Sequence, residues 1–180
     1  MNKATINNKI LSLIKGDITL QTTDAIVAAA NPSLLGMGGV SGAILRAAGQ
    51  AVIDECKEII RKQGELPTGN AVFTSGGNLK TRYVIHTVGP VWQGGAWNEA
   101  ELLASSDRES LKLAENNDFA SVSFPSISTG IFGYPIKEAA KVAIKAVVEF
   151  LMDEARSVKE VVFVLWDDKT LEAYQDAMSC

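Results

Sequence analysis

The sequence predicts an α/β layer sandwich with a mostly parallel sheet, and three observations lead to this class. Short β-branched runs alternate with longer helical patterns along the chain, as they do in βαβ units. Several of these runs are rich in Val and Ile with little polar alternation, which is typical of strands buried on both faces. The chain has 180 residues, 47% of them hydrophobic and 21% charged, which suits one well-packed domain.

The elements follow one another in a regular order. The predicted strands are residues 9–15, 25–29, 71–75, 83–88, 121–125 and 160–165, and the predicted helices are residues 39–48, 51–64, 99–116, 136–152 and 169–178. In the fourth helix, apolar residues recur at a spacing near 3.6, which marks the stripe that faces the sheet: Val142, Ile144, Val147, Val148 and Leu151. Glycines separate the elements. No repeat or linker interrupts the pattern, so residues 1–180 are predicted to form a single domain.

The charge balance narrows the possible partners. Seventeen basic residues face 21 acidic ones, which gives a net charge of −4 and no basic run. We therefore do not expect broad binding of nucleic acid, although backbone amides of an acidic protein can still hold one phosphorylated small molecule. No apolar run reaches the roughly 18 to 20 residues that span a bilayer, so we expect no membrane association and a cytoplasmic location.

Cysteine and histidine are too sparse for common metal or nucleophilic sites. Cys56 and Cys180 lie far apart, and neither has a ligand neighbour at zinc-binding spacing, so neither a metal site nor a disulfide framework is expected. His86 lies in a strand pattern among apolar neighbours. A buried imidazole is favoured there over a catalytic base.

Two glycine-bearing loops each connect a predicted strand to a predicted helix. In residues 31–42, Gly36, Gly38, Gly39 and Gly42 would let the backbone approach an anion at the start of a helix. The spacing fits neither a dinucleotide-binding fingerprint nor a Walker A loop. The alternative for this segment is a tight turn without a ligand.

The second loop covers residues 126–133. Ser128, Thr129 and Gly130 can offer successive N–H groups and hydroxyls, and the flanking glycines free Phe132 to turn toward a pocket. Alternatively, this is an ordinary connection with Phe132 in the core. Because ligands bind at the carboxyl ends of the strands in open α/β sheets, the two loops together could hold the two phosphates of a diphosphate.

Two further residues could recognise a base. Asp17 follows the first predicted strand, where its carboxylate could accept a purine amino group or simply cap the next turn. Trp166 ends the last predicted strand and could offer a flat face to a base or pack in the core.

Six segments follow one another in a recognisable order: Lys15-Gly-Asp-Ile-Thr19, Ala25-Ile-Val-Ala-Ala-Ala-Asn31, Gly38-Gly-Val40, Arg46-Ala-Ala-Gly49, His86-Thr-Val-Gly-Pro90 and Phe124-Pro-Ser-Ile-Ser-Thr-Gly-Ile-Phe-Gly133. Over nearly the whole chain they resemble the motifs of the macrodomain (Appr-1''-p processing) family. Pro67-Thr-Gly69 and Gly89-Pro-Val-Trp92 resemble its bacterial MacroD-type branch. The resemblance implies a three-layer α/β/α sandwich with a mixed, mostly parallel sheet. It also implies that ADP-ribose is bound at the strand ends, with no metal or cofactor needed. Nothing in the sequence requires more than a monomer.

The resemblance also assigns roles by position. Asp17 would accept the adenine amino group beside Ile18, and Trp166 would stack on the base. Asn31 would bind the distal ribose, and Phe132 would pack against it. The implied ligand-binding residues are Asp17, Ile18, Asn31, Gly38, Gly39, Val40, Ser128, Thr129, Gly130, Ile131, Phe132 and Trp166, and the implied catalytic residues are Asn31, Ser41 and Phe132.

Four positions depart from the usual MacroD-type pattern. Ala28, Met37, Ser41 and Leu45 stand where that branch usually has Asn, Gly, Asp and His. Ser41 cannot act as a general base at neutral pH unaided, so water activation would depend on an ordered water held by the ligand and the loops. The resemblance implies a hydrolase, with activity reduced by these changes, that acts on ADP-ribosylated Asp or Glu of proteins or on O-acetyl-ADP-ribose. The alternative is a reader that binds ADP-ribose without turnover.

Overall fold

The computed structural model describes residues 2–180. At its centre lies a seven-stranded mixed sheet. The strands are β1 Lys3–Ile6, β2 Lys9–Lys15, β3 Ala25–Ala29, β4 Ala71–Ser75, β5 Tyr83–Thr87, β6 Ser121–Phe124 and β7 Glu160–Leu165. Their order across the sheet is β1-β2-β7-β6-β3-β5-β4. The five central strands run parallel, whereas β1 and β4 pair antiparallel at the two edges. The predicted mixed, mostly parallel sheet is confirmed.

Helices cover both faces of this sheet. They are α1 Gly39–Ala48, α2 Gln50–Gln63, α3 Glu99–Asn116, α4 Ile136–Asp153 and α5 Asp168–Met178. Helices α3, α4 and α5 pack side by side on one face, and α1 and α2 lie on the other. The three-layer α/β/α sandwich is therefore confirmed, and none of the helices in residues 2–180 is both long and apolar enough to cross a membrane.

Burial on both faces explains the composition of the central strands. In β3, Val27 faces the layer of α3 to α5, while Ile26 and Ala28 face α1, and all three are fully buried. Since neither face meets water, no polar alternation is needed. In α4, Ile144, Val147 and their neighbours form the buried stripe that its spacing predicts.

The edge strand β1 was not predicted. It is four residues long, and its side chains alternate between half-buried and exposed. A two-residue turn joins it to β2, with φ of 49° at Asn7 and 66° at Asn8. Positive φ at both central residues is the requirement of a type I′ hairpin turn, which Asn tolerates well. Elsewhere, predicted element ends differ from the observed ones by at most one residue.

The parallel strands place their carboxyl ends at a single edge of the sheet. The chain leaves β3 toward α1, leaves β6 toward α4, and leaves β7 toward α5 at this edge. Both glycine-bearing loops and the segments that hold Asp17 and Trp166 therefore meet there, as the general rule for open α/β sheets anticipates.

Candidate functional site

A cleft of about 340 Å³ lies at this edge, between the loops that follow β3 and β6. This volume falls within the range of small-molecule sites. The wall is formed by Ala29, Ala30, Asn31, Gly36, Gly38, Gly39, Val40, Ser41, Gly89, Ser126, Ile127, Ser128, Gly130, Ile131 and Phe132. None of these carries a charge or an imidazole, so the polar groups that face a ligand here are amides and hydroxyls.

A smaller cavity of about 40 Å³ adjoins the cleft, and Val40 lines both. Its wall contains Asp17, Ile18 and Trp166. Thus the predicted base-binding residues line the small cavity, and the two glycine-bearing loops line the cleft beside it.

The first loop presents free backbone donors at the start of α1. Gly38, the N-cap residue, has no side chain to cap the helix, and the first recorded bond of the turn runs from Gly42 N–H to Gly38 O. Within residues 2–180, nothing accepts the N–H groups of Gly39, Val40 or Ser41. Unpaired donors and the positive end of the helix dipole make this turn suitable for an anion.

The conformation of this loop depends on a close packing contact. Arg46 Nη1 donates to the carbonyl oxygen of Met37 at 2.8 Å. A Cβ atom at Gly42 would collide with that same carbonyl group. Only glycine therefore lets the loop fold back against α1, which places Gly38 and Gly39 on the cleft wall.

The second loop presents donors from the opposite wall. Ser128 adopts a left-handed conformation with φ of 68°, and Tyr134 N–H donates to its carbonyl oxygen at 2.9 Å. No acceptor in residues 2–180 is recorded for the N–H groups of Gly130 and Ile131. A left-handed residue that turns successive N–H groups to one side is the usual way in which loops form anion-binding nests.

The hydroxyl groups of Ser128 and Thr129, in this second loop, point elsewhere than predicted. Thr129 is not on the cleft wall, and its Oγ1 donates to Ser126 Oγ at 2.8 Å. Ser128 Oγ is buried against Gly89, where an added Cβ would collide with it. The expectation that the Thr129 hydroxyl faces a ligand is therefore corrected: it holds the loop together.

Asp17 caps a turn, which is one of the two roles that its sequence position left open. Its Oδ1 accepts from Thr19 N–H at 2.9 Å and from Thr19 Oγ1 at 2.6 Å, so it caps the short turn Ile18–Leu20. No protein donor in residues 2–180 is recorded for Oδ2, which leaves an acceptor beside the small cavity. Trp166 stands next to it and is 73% exposed, so its ring is not part of the core.

Asn31 and Phe132 both line the large cleft. Asn31 Oδ1 accepts from Ser33 Oγ at 2.8 Å, which leaves the amide nitrogen for a ligand. A Cβ at Gly36 would lie 2.8 Å from that nitrogen, so a larger residue there would displace the Asn31 amide. Phe132 is half-buried on the wall rather than in the core, and Trp92 N–H donates to its carbonyl oxygen at 2.8 Å.

The four departures from the MacroD-type pattern occupy different places. Ser41 lines the cleft, is 6% exposed, and its hydroxyl has no recorded partner in residues 2–180. Ala28 and Leu45 are fully buried in apolar clusters away from the cleft wall. Met37 lies half-exposed within the first loop and is not a wall residue. Of these four residues, only Ser41 lines the cleft.

His86 is buried, as predicted. Its Nε2 lies 2.9 Å from Thr74 Oγ1 and 3.9 Å from Cys56 Sγ. Burial lowers the pKa of His86 to about 4, and burial together with the nearby charge of Glu55 raises the pKa of Cys56 to about 11. An uncharged imidazole beside a protonated thiol, both remote from the cleft wall, is a structural pair rather than a catalytic one.

One residue of the region was missed by sequence reasoning. Glu99 is buried at the start of α3 and accepts N–H groups from Gln93, Gly95 and Trp97 at 2.6 to 2.9 Å. Burial opposes ionisation of Glu99, but these backbone donors outweigh it and lower its pKa. The signal in the sequence is an acidic residue in the first turn after a Gly-Gly loop.

Comparisons with known proteins agree with this geometry. Residues 27–143 match the family model described as Macro domain. The O-acetyl-ADP-ribose deacetylase of Salmonella typhimurium is 53% identical over 164 residues, which cover 91% of each chain. Macro domain-containing protein TTE0995 of Caldanaerobacter subterraneus is also 53% identical, over 93% of this chain and 94% of its own.

Solved structures match over the whole fold. The Oceanobacillus iheyensis macrodomain with ADP superposes with a TM-score of 0.93 at 44% identity, over 98% of this chain and 94% of that one. The Trypanosoma brucei macrodomain in complex with ADP-ribose superposes with a TM-score of 0.85 at 34% identity, over 93% of this chain and 68% of that one.

Proposed function

Because the chain belongs to the macro domain family, we propose that its cleft binds ADP-ribose and hydrolyses an ester bond at the distal ribose. The substrates that we propose are O-acetyl-ADP-ribose and proteins ADP-ribosylated on Asp or Glu. The observation that carries this proposal is the pair of adjoining cavities, one lined by Asp17 and Trp166 and the other by two loops with free backbone donors. The relatives named O-acetyl-ADP-ribose deacetylase support the proposed reaction.

Each part of the ligand has a matching part of the groove. The adenine amino group would donate to the free Oδ2 of Asp17, with the base against Trp166. The diphosphate would lie between the N–H groups of Gly39 and Val40 and those of the second loop. Because those donors are neutral amides, a protein with a net charge of −4 needs no basic side chain to hold a dianion.

The neutral wall restricts how the ester could be cleaved. None of the residues lining the cleft titrates near neutral pH, so the protein offers no side-chain general base to the reacting water. The base would have to be a phosphate oxygen of the ligand itself. Asn31 and Phe132 would fix the distal ribose, and Ser41 would help to hold the water, so the rate would come mainly from positioning. Water adds across the ester bond, releasing free ADP-ribose and acetate or the protein carboxylate.

One observation favours a second candidate function. Ser41 lines the cleft at the position where MacroD-type hydrolases usually have Asp. A serine offers a water only a neutral hydroxyl in place of that carboxylate. A cleft that retains its backbone donors but lacks a carboxylate could bind ADP-ribose as a reader, without turnover.

Two measurements separate these functions. Titration calorimetry with ADP-ribose tests binding, and incubation with O-acetyl-ADP-ribose or a mono-ADP-ribosylated protein tests release against a buffer blank. We expect binding together with release above the blank. Binding with release at the blank rate would leave the reader, and the absence of binding would overturn both functions.

A further inference from the structure

Ser126 lies on the cleft wall at the beginning of the second loop, where two other side chains converge on its hydroxyl. Tyr174 Oη, from α5, donates to Ser126 Oγ at 3.0 Å. Thr129 Oγ1, from the same loop, donates to it at 2.8 Å. Neither Tyr174 nor Thr129 is itself on the wall. Ser126 is therefore the point at which this buried network reaches the cleft.

The bonds to Ser126 determine where its proton can go. A serine hydroxyl has two acceptor lone pairs and one proton. Tyr174 occupies one lone pair, and the single proton of Thr129 can reach either Ser126 Oγ at 2.8 Å or Ser126 O at 3.2 Å, of which the shorter contact favours Oγ. In that arrangement both lone pairs are occupied, and the proton of Ser126 points away from both donors. No acceptor within residues 2–180 is recorded for it. Since Ser126 lines the cleft, the remaining direction for this proton is toward a bound ligand.

We propose that Ser126 donates a hydrogen bond to an anionic oxygen of the diphosphate, and that Tyr174 and Thr129 are positioning residues for it. This inference rests on the proposed function. Two incoming hydrogen bonds polarise a hydroxyl and make it a better donor, so Ser126 would bind an anion more strongly than an isolated serine does. Through Tyr174, helix α5 becomes part of the phosphate-binding apparatus.

Two features keep the network in place without a ligand. The ring of Tyr174 is fully buried and packs against Phe163 of β7, with ring centroids 4.9 Å apart. Burial raises the pKa of Tyr174. The nearby charge of Asp107 raises it further, and the hydrogen bond with Ser126 only partly offsets this rise. The tyrosine thus keeps its proton at neutral and moderately alkaline pH and remains a donor to Ser126.

The test is a double-mutant cycle read by titration calorimetry with ADP-ribose, ADP and adenosine. Ser126→Ala should weaken binding of ADP-ribose and ADP about tenfold, as expected for one lost hydrogen bond to a charged group, and leave adenosine unchanged. Tyr174→Phe should weaken both phosphorylated ligands about two- to threefold. In the Ser126→Ala background, Tyr174→Phe should have no further effect, because its target hydroxyl is already gone.

Matched controls separate a positioning role from a merely structural one. Ser123→Ala removes a buried, hydrogen-bonded serine that does not line the cleft, and Tyr83→Phe removes a tyrosine hydroxyl away from it. Neither should change affinity. If Ser126→Ala binds ADP as tightly as wild type, or if the two changes are additive, this inference is overturned while the proposed function stands. If the wild-type protein binds neither ADP-ribose nor ADP, the proposed function itself fails.

Discussion

Asp107 is a buried carboxyl group with no partner in the described part of the chain, and replacing it with alanine should stabilise the protein. It lies in α3, is 0% exposed, and neither carboxyl oxygen has a recorded partner in residues 2–180. An unsatisfied buried polar group costs about 1 to 3 kcal/mol of folding free energy. Alanine also has the higher helix propensity, by roughly half a kcal/mol. We expect Asp107→Ala to raise the free energy of unfolding by about 1 to 3 kcal/mol, or Tm by about 2 to 12 °C for a domain of this size.

The effect should depend on pH in a definite direction. Burial raises the pKa of Asp107 well above its ordinary value of 3.8, and the charge of Arg108 only partly opposes this. Above about pH 4, the unfolded chain releases this proton while the folded chain retains it, so wild-type stability falls as pH rises toward the folded pKa. The Asp107→Ala variant has no carboxyl group at this position, so its stability does not fall with pH for this reason. Its advantage over wild type should therefore be smallest near pH 4 and widen as pH rises.

Urea denaturation followed by tryptophan fluorescence, from about pH 4 to about pH 8, measures this advantage. Ser110→Ala is the control, since Ser110 is buried in the same helix but its hydroxyl donates to Ser106 O at 2.7 Å. The control should lose stability by about 1 kcal/mol with no widening against pH. The low pKa of His86 affects both proteins equally and cancels in the difference. An Asp107→Ala protein less stable than wild type by the same amount at every pH would refute the reasoning.

Three further changes test the site. Asp17→Ala should weaken ADP-ribose binding by about 1 to 3 kcal/mol, because a charged acceptor is lost; unchanged affinity by calorimetry would remove Asp17 from the site. Ser41→Asp should raise the hydrolysis rate about a hundredfold or more, the usual contribution of a general base; an unchanged rate of acetate release would mean that another arrangement activates the water. Glu99→Gln should speed amide hydrogen exchange in residues 93–97, because a neutral amide replaces a carboxylate that accepts three backbone N–H groups; exchange in β3 is the internal control, and equal rates in the loop would contradict the role given to Glu99.

The fold was largely predictable because its signals are local. Strands buried on both faces require continuous apolar runs, and α4 requires a stripe at helical spacing, so the sequence pattern carries both. The edge strand β1 shows why the rest could not be predicted. Its four residues are at most half-buried on one face, so they show no continuous apolar run. They form a strand because they pair with β2. That pairing is a tertiary contact, although the turn at Asn7 and Asn8 was a usable signal.

The same distinction applies to the cleft. Backbone donors could be predicted, because a glycine-rich loop before a helix leaves N–H groups free wherever it occurs. Side-chain hydroxyls could not be assigned in this way. Thr129 was expected to face the ligand, but it serves Ser126, whose other partner, Tyr174, lies 48 residues further along the chain. No local pattern reveals which of several neighbouring hydroxyls is already engaged.

Binding and turnover are carried by different parts of this cleft, and this explains how the sequence can keep one while changing the other. The groups proposed to bind the diphosphate are mainly backbone N–H groups fixed by Gly42, Ser128 and the helix start, so they survive the replacements at Ala28, Ser41 and Leu45. Leu45 packs in an apolar cluster with Leu34 of the first loop, and Ala28 packs in a second cluster with Ile44 of α1. Of these three replacements, Ser41 alone lines the cleft, and its neutral hydroxyl cannot take a proton from a water there. Differences in rate between this chain and its relatives should therefore arise at Ser41, with affinity for ADP-ribose largely retained.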